Sequence, residues 1–428
     1  LNKTILIPIE TSSRELLYKV YLCNLLSLNG FNCFLGNKVE ISNLFSQMNS
    51  FLYLDKGYHK DVSEKIYADL KSRNAIIVNL DEEGAIAFPD GSPLHLRYSK
   101  KALDSFDFTF FWGSAQMEMV NDIIPEKNKA IVSGHPRFYL LKNKFKFLYE
   151  EKVKEIKDKY GRYILINTNF ARANNIRGED IARNNYIGRY KNIDTRIKND
   201  KIKLKIFKSL IEKLSKLDYN IVVRPHPEEK IDTYQDYFKN LSNVFITNSG
   251  SVVPWIIGSE TLIHSDCTTA VEALMLNKKS ISFLDRSLDK SVLTILPQKG
   301  SYVFYDEDKV VEFIKNKSFK NNETEEYDWL ETYFNFSNDS FEIILDNLNK
   351  LKFSNNECKE LRSYFIYRRA KSYLNKILNR KDSLNSQKLQ DFNFENIKFI
   401  QKNISTNITN FRNIRIDKKC PNLFLFKQ

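Results

Sequence analysis

The stretch Tyr219–Pro227, YNIVVRPHP, joins an apolar run directly to a histidine that lies between two prolines. The β-branched run predicts a buried strand of a parallel sheet, and the prolines predict the end of that strand. Ligands of open α/β sheets bind at the carboxyl ends of the strands. His226, one of five histidines in the chain, is therefore predicted to face a phosphate-bearing ligand. A buried, hydrogen-bonded histidine in a rigid turn is the structural alternative.

Short β-rich runs alternate with helix-length amphipathic segments on both sides of this stretch, as in βαβ units. A first series contains predicted strands at Thr4–Ile9, Asn32–Leu35, Phe51–Leu54, Ala75–Leu80, Asp107–Trp112 and Ala130–Ser133, and helices at Arg14–Leu28, Val62–Leu70 and Ala115–Ile123. A second series contains strands at Arg162–Asn167, Tyr219–Val223, Val244–Thr247, Thr261–His264 and Ser280–Leu284, the apolar segment Val252–Ile257, and helices at Lys203–Leu217, Tyr234–Asn240 and Thr268–Leu276.

The two series predict an α/β fold with two tandem Rossmann-like domains, at 1–145 and 160–325, that share a central cleft. A basic, mainly helical C-terminal extension is expected at 326–428, and a hinge near 142–160. The interval Ala171–Asp200 is long and polar, so it is predicted to be a mobile loop near the cleft.

The composition is that of a globular protein, with 428 residues of which 42% are hydrophobic. Five widely spaced cysteines without a CxxC pair predict neither a disulfide framework nor a zinc site, and a reducing compartment is expected. Because no segment approaches the roughly 18 apolar residues of a membrane span, a soluble or peripheral protein is predicted.

Most of the formal charge of +13 lies in the tail, where residues 351–428 contain 17 Lys and Arg against 6 Asp and Glu, a difference of +11. Aromatic residues are interleaved with these cations. The tail at 352–428 is therefore a candidate for an anionic membrane surface, and nucleic acid is the less favoured partner. A helical extension that packs on the body with a solvated basic face is the alternative.

An acidic turn, Asp81–Gly84, follows the predicted strand Ala75–Leu80. Adjacent carboxylates at a strand end repel one another and lose solvation, so at least one needs a partner or a use. General base catalysis by Glu82 or Glu83 is the functional interpretation. An acidic turn that only caps the next helix is the alternative.

Three further groups of polar residues follow strands of the second series. Arg224 and His226 can donate to a phosphate, with Pro227 fixing the turn, and a second His-Pro pair at His135 is assigned a structural role. The segment from Ser265 to Glu272 carries the hydroxyls of Thr268 and Thr269 at a helix start, where anions bind, although ordinary capping also explains it.

Glu272 lies one turn further along that helix, where its carboxylate could accept hydrogen bonds from ribose hydroxyls. Asn167 and Asn169 place two amides at the end of the first strand of this series, and either amide could instead simply close the turn.

Together these groups predict a cleft with a base on one wall and phosphate ligands on the other. Such a cleft fits transfer from a nucleotide-activated donor to a hydroxyl acceptor. The sequence contains no GxxxxGK[ST] loop and no GxGxxG motif, which disfavours ATP hydrolysis and hydride transfer.

The acidic turn and the His226-Pro227 dipeptide resemble the D/E-D/E-G and HP motifs of bacterial sialyltransferases and polysialyltransferases. The wider pattern is similar to surface-carbohydrate-biosynthesis proteins related to Kdo transferases. The supporting segments are Ile9–Glu15, Asp81–Gly84, Trp112-Gly113, Gly134–Phe138, Asn167–Phe170 and Ser265–Leu274. The resemblance covers roughly residues 1–300 and leaves the tail outside.

This resemblance implies a GT-B fold and a CMP-activated donor of a 3-deoxy-ulosonic acid, namely sialic acid, a related nonulosonic acid or Kdo. The first domain would bind a glycan or glycolipid acceptor and the second the donor. Glu82 would take the proton of the acceptor hydroxyl, with Glu83 and Asp81 positioning it or sharing the role. No cofactor or metal is implied. Localisation in the cytoplasm is expected, with peripheral association at the inner face of the bacterial membrane.

The resemblance also implies that His226, Thr268 and Thr269, assisted by Arg224, would stabilise the departing phosphate. One departure concerns the sialyltransferase serine pair, which is Thr268-Thr269 here. Direct attack implies inversion of the anomeric configuration, whereas some Kdo-transferring relatives retain it.

Two rival functions use the same cleft, CDP-glycerol transfer and sugar-nucleotide 2-epimerisation. A third, non-enzymatic hypothesis is that the protein is a scaffold that binds a membrane or nucleic acid through its basic tail.

Overall fold

The computed structural model describes residues 3–83, 97–187, 192–278, 280–316, 328–353, 361–377 and 388–428. Gly84 of the acidic turn lies outside the described residues. The chain forms two compact units: the first comprises Leu1–Gly84, His95–Leu140 and Tyr327–Gln428, and the second Ala85–Leu94 and Leu141–Glu326.

The strands are β1 (Lys3–Ile9), β2 (Phe31–Asn37), β3 (Leu52–Asp55), β4 (Ile76–Leu80), β5 (Phe108–Phe111), β6 (Ala130–Val132), β7 (Tyr163–Asn167), β8 (Asn220–Arg224), β9 (Val244–Ile246), β10 (Thr261–His264), β11 (Ser280–Phe283), β12 (Ser301–Phe304), β13 (Arg415–Cys420) and β14 (Leu423–Lys427). Every strand predicted from the sequence is present within two residues of its expected ends.

The α-helices are α1 (Ser12–Leu28), α2 (Lys38–Phe45), α3 (Ser63–Ser72), α4 (Lys100–Ser105), α5 (Ser114–Glu118), α6 (Pro136–Tyr139), α7 (Glu150–Tyr160), α8 (Glu179–Tyr186), α9 (Ile193–Leu214), α10 (Asp232–Phe238), α11 (Val252–Gly258), α12 (Thr269–Met275), α13 (Leu296–Lys299), α14 (Glu307–Lys315), α15 (Asp328–Phe334), α16 (Ser340–Asn349), α17 (Arg362–Ile377) and α18 (Phe394–Asn407). Short 3-10 turns occur at Asn121–Ile123, Lys127–Lys129, Asn143–Leu148, Lys290–Val292 and Thr409–Asn413. Among the described helices, none combines the length and apolarity that a transmembrane span requires.

The first unit is built on an eight-stranded sheet in the order β13-β14-β2-β1-β3-β4-β5-β6. The strands from β2 to β6 pair in parallel, with β1 between β2 and β3. β1 is buried from Thr4 to Ile9, which explains its nearly continuous apolar sequence.

The C-terminal residues complete this sheet. β13 and β14 form an antiparallel hairpin, and β14 pairs antiparallel with β2. Asn422 takes a positive φ of 59° at the turn, a conformation that asparagine tolerates. Leu423 and Phe426 are fully buried. The extension predicted at 326–428 is therefore mainly helical as expected, but it belongs to the first compact unit and ends in two strands.

The second unit contains a six-stranded, fully parallel sheet in the order β12-β11-β10-β7-β8-β9. Apolar residues of β7, β8, β10 and β11 pack with α9, α10 and α14 in one core that includes Ile166, Phe207, Val223 and Ile263. Both units thus show the predicted α/β architecture, with a fully parallel sheet in the second unit and parallel pairing from β2 to β6 in the first.

Two segments differ from the sequence prediction. The expected loop Ala171–Asp200 contains α8 and the first two turns of α9, and the expected hinge near 142–160 contains α7. The start of α9 was not predicted because its buried face carries the charged residues Arg196, Asp200 and Lys203. A helix is predicted from apolar residues that recur every three or four positions, and charged residues at those positions interrupt that pattern.

A matched pair of leucines tests whether the terminal hairpin is part of the core. Leu423 is fully buried in β14, whereas Leu374 on α17 is 58% exposed. We expect Leu423→Ala to lower the free energy of unfolding by about 2–5 kcal/mol because it leaves a cavity. Leu374→Ala should change it by no more than about 0.5 kcal/mol. Urea denaturation measures both, and equal effects would contradict a structural role for the hairpin.

Candidate functional site

In the first unit a cluster of buried charges lies at the carboxyl ends of the parallel strands. Lys19 of α1 is its centre. Its Nζ donates to the carbonyl of Pro8 at 2.7 Å and to Glu15 at 2.7 Å, and lies 2.9 Å from Glu82. Lys56, after β3, pairs with Glu15 at 2.8 Å. Alternating signs allow these groups to remain charged inside the protein.

Glu82 is held inside this cluster. Its side chain is 3% exposed, and Oε1 accepts a hydrogen bond from the hydroxyl of Tyr18. Burial raises the pKa of Glu82, but the charge of Lys19 and of other neighbouring cations outweighs burial and leaves that pKa well below its usual range. A general base must come within hydrogen-bond reach of the proton that it removes, which a side chain this deeply buried does not do. This geometry therefore favours an ion-pair role for Glu82 over the base role predicted from the sequence.

The other two carboxylates of the acidic turn share Arg97. Its Nε donates to Asp81 at 2.6 Å, and Nη1 donates to Glu83 at 3.0 Å. Asp81 is fully buried, whereas the side chain of Glu83 is 35% exposed. Burial raises the pKa of Glu83, but the charges of Arg97 and of other neighbouring cations together outweigh burial and lower that pKa. Among Asp81, Glu82 and Glu83, Glu83 is thus the carboxylate that solvent can reach.

His135 faces the unpaired side of Glu82. Its Nδ1 accepts the backbone N–H of Arg137 at 3.1 Å, so the neutral ring carries its proton on Nε2. That nitrogen lies 3.7 Å from Glu82 Oε2. Burial lowers the pKa of His135 to about 3, so the ring is neutral at neutral pH. The sequence did not predict this contact.

In the second unit, strand register brings three predicted groups side by side. Asn167 at the end of β7 pairs with Arg224 on one side and His264 on the other. The strand order reverses between β7 and β10, which makes this edge a topological switch point. Ligands of open α/β sheets bind at such points.

Polar atoms at the switch point have unused hydrogen-bonding capacity. Asn167 Nδ2 donates to Thr269 Oγ1 at 2.9 Å, but Asn167 Oδ1 and Ser265 Oγ are buried and have no hydrogen-bond partner among the described residues. Thr268 and Asn169 are half-buried beside them. Buried polar atoms are nearly always satisfied, so this arrangement is suited to a polar ligand.

His226 is half-buried in the loop after β8. Its Nδ1 accepts the backbone N–H of Glu228 at 3.2 Å, so the neutral ring presents Nε2–H as a donor. The same arrangement occurs at His135. In both turns the intervening proline has no N–H, and the next residue donates to the imidazole instead.

Glu229 fixes this loop and was not predicted as a functional residue. Its Oε1 accepts from Thr168 Oγ1 at 2.8 Å, Phe170 N at 3.0 Å and His226 N at 3.2 Å. The carboxylate therefore ties the end of β7 to the His-Pro turn after β8. The sequence does show an acidic residue three positions after His226. Acidic residues are common in turns, so this position alone does not predict the role of Glu229.

One predicted donor-binding residue, Arg224, has other partners. Both terminal nitrogens of Arg224 donate to backbone carbonyls, of Ser249 at 2.7 Å and of Gly250 at 2.8 Å, and the guanidinium lies over the Trp255 ring at 4.9 Å. Arg224 thus holds the loop after β9. Glu272 is 6% exposed within α12, and Pro227 is half-buried beside His226.

The predicted residues are divided between the units. Glu82 and Glu83 belong to the first unit, and Asn167, Asn169, Arg224, His226, Pro227, Ser265, Thr268, Thr269 and Glu272 belong to the second. Within the part of the chain that the structure describes, no group of three or more His, Cys, Asp or Glu side chains is arranged to hold a metal ion.

Comparison with known proteins identifies the fold. The chain is similar to UDP-GlcNAc 2-epimerase from Methanocaldococcus jannaschii in complex with UDP-GlcNAc and UDP, with a TM-score of 0.51 and 12% identity over 82% of this chain and 99% of that one. A variant of the Wall Teichoic Acid Polymerase TagF soaked with CDPG matches with a TM-score of 0.51 and 12% identity over 81% of this chain and 88% of that one.

The fold is of the GT-B type. This confirms the predicted GT-B-like, α/β fold with two Rossmann-like domains. No protein-family model matches the sequence, and no curated protein does.

Buried neutral histidines predict a pH dependence of stability. Burial lowers the folded-state pKa of His135 to about 3 and that of His264 to about 4. Unfolded histidines take up a proton near pH 6.5, so this stability is present above pH ~6.5 and is lost as the pH falls towards the folded values. We expect a loss of about 1.4 kcal/mol per pH unit for each histidine.

The measurement is the urea midpoint between about pH 6.5 and 5, where most carboxylates remain ionised. His135→Gln should remove the share of the pH slope that belongs to the first unit, and His264→Gln that of the second. A His135→Gln variant with the wild-type slope would show that His135 is protonated in the folded protein.

Proposed function

We propose that this protein is a glycosyltransferase that uses a nucleotide-activated sugar donor, with the donor phosphate bound at the switch point of the second unit. One observation carries this proposal. Ser265 Oγ, whose hydroxyl can donate to a phosphate, and Asn167 Oδ1, which can accept from a hydroxyl of the donor, are buried without partners among the described residues. They lie at the edge where α/β sheets bind ligands, next to half-buried hydroxyls.

The chemistry follows from the donors at this edge. When the bond between sugar and phosphate breaks, negative charge develops on the phosphate and the sugar becomes oxocarbenium-like. Nε2–H of His226 and the hydroxyl of Thr268 are hydrogen-bond donors that would stabilise that charge. The hydroxyl of Thr269, which donates to Cys267 Sγ at 3.2 Å, would turn to the phosphate when the donor binds. Asn169 adds an amide. Arg224 supports this site indirectly, because its guanidinium holds the neighbouring loop.

The attacking hydroxyl must lose its proton to a base. We assign this role to the acidic turn of the first unit, and within it to Glu83, whose side chain is 35% exposed. Glu82 would act by positioning, since its carboxylate is already paired with Lys19. His135 would hold the far side of Glu82 as a neutral ring.

For the donor we propose a CMP-activated 3-deoxy-ulosonic acid, in line with the resemblance of the acidic turn and the His226-Pro227 dipeptide to sialyl- and Kdo-transferases. The acceptor would be a hydroxyl of a surface glycan or glycolipid, and the enzyme would work in the cytoplasm. The second candidate is CDP-glycerol transfer or epimerisation of a UDP-sugar, which the bound ligands of the two structural neighbours favour.

A donor panel separates these candidates. The full chain is mixed with CMP-sialic acid, CMP-Kdo, CDP-glycerol or UDP-GlcNAc, and thermal stabilisation and nucleotide release are measured. We expect stabilisation by the CMP-sugar and slow release of CMP without an acceptor, because a ligand that binds only the folded state raises its stability. Turnover of CDP-glycerol or UDP-GlcNAc alone would select the second candidate. No response to any donor would contradict both.

Thr268→Val tests the phosphate site directly, because valine keeps the shape of threonine without its hydroxyl. A lost hydrogen bond to a charged group costs about 1.5–3 kcal/mol. We therefore expect the Kd of the nucleotide that stabilises the wild type to rise about tenfold or more. Thr247→Val is the control, since Thr247 is also half-buried at a strand end, but after β9. Equal effects of the two variants would contradict the assignment.

A further inference from the structure

Helix α17 is firmly attached to the first unit by one face. Phe365 stacks on Phe34 of β2 with ring centroids 6.3 Å apart. Arg368 Nε donates to the Glu40 carboxylate at 3.1 Å. Arg369 Nε reaches back to the carbonyl of Lys419 in β13 at 2.7 Å. These contacts fix which side of the helix faces the protein.

The opposite face of α17 is apolar and exposed. Ile366, Tyr367, Tyr373 and Leu374 are between 58% and 68% exposed. At 3.6 residues per turn, residues separated by three, four or seven positions lie on one side of a helix, so these four side chains form one stripe. Ala370 is also exposed and lies within that stripe. Such clustering is unusual for a surface that faces only water.

Cations border this stripe on both sides. Arg362 and Arg369 lie along one border, and Lys371 lies along the other, where its Nζ is 5.9 Å from the Tyr367 ring centroid. The sequence of α17 contains no acidic residue. An apolar stripe between rows of cations, with aromatic residues among its members, is the pattern of helices that lie in a membrane interface.

We propose that this face, consisting of Ile366, Tyr367, Ala370, Tyr373 and Leu374 with its bordering cations, docks the protein on an anionic lipid bilayer. The apolar side chains would insert below the headgroups while Arg362 and Lys371 contact lipid phosphates. A tail with a charge difference of +11 adds long-range attraction to such a surface.

Two other partners fit this face less well. A second copy of the chain would bring the same cations against one another, which like charges oppose. Nucleic acid needs cations along the centre of the contact, where this face is apolar. The proposal is independent of the donor chemistry, and its test needs no activity.

The test is co-sedimentation of the full chain with vesicles. One set contains phosphatidylglycerol mixed with phosphatidylcholine, and the other phosphatidylcholine alone. We expect binding to the anionic vesicles that weakens as salt is added, because salt screens surface charges. A double variant, Ile366→Ser with Leu374→Ser, should lose about tenfold or more of this binding. Lys371→Gln should weaken it about fivefold.

The control is Ile181→Ser with Ile295→Ser, which removes two apolar side chains, 46% and 38% exposed, from the second unit. This variant should bind as the wild type does. Both double variants should keep the wild-type circular dichroism spectrum, because every substituted side chain is exposed.

Three results would overturn the proposal. The first is equal binding of the wild type to both kinds of vesicle. The second is undiminished vesicle binding by the Ile366→Ser, Leu374→Ser variant. The third is a dimer that the same variant converts to monomers while vesicles bind neither protein, which would assign the face to a second copy.

Discussion

The buried carboxylate of Glu229 is the contact on which the candidate donor site depends. It collects a hydroxyl and two backbone N–H groups from the ends of β7 and β8, so the His-Pro turn and the asparagine turn are held by one side chain. Burial raises the pKa of Glu229, although its hydrogen bonds partly oppose that shift. A buried acceptor of this kind is tolerated only when its lone pairs are used, and here the donors are the very loops that must be positioned.

In the first unit, a buried cation holds the loops at the strand ends. Lys19 neutralises Glu15 and Glu82 and also binds a backbone carbonyl at the end of β1. Removing one member of a buried ion pair leaves an uncompensated charge, which is far more costly than losing a surface pair. In both units, buried charged side chains therefore hold the strand-end loops in place.

Local patterns predicted the strands and the parallel sheets well, because each strand is a short apolar run that ends in a turn. They also placed Asn167, His226 and Thr269 at strand ends, where register brings β7, β8 and β10 together. What they could not predict was pairing between distant residues. The residues that flank Glu82 in the sequence do not indicate that Lys19 will neutralise it. Those that flank Arg224 do not indicate that its guanidinium will donate to the carbonyls of Ser249 and Gly250. The start of α9 and the terminal hairpin were missed for the same reason, since long-range partners decide both.

The order of the elements along the chain has a consequence for synthesis. Most of the second unit is inserted between two parts of the first, and β14 must pair with β2, which the ribosome makes almost 400 residues earlier. At ~5–20 residues per second, β2 presents an unpaired edge for tens of seconds while the inserted unit is completed. An open strand edge is a template for wrong pairing. The edge of β2 therefore stays open to wrong pairing until the last strands of the first unit have been made.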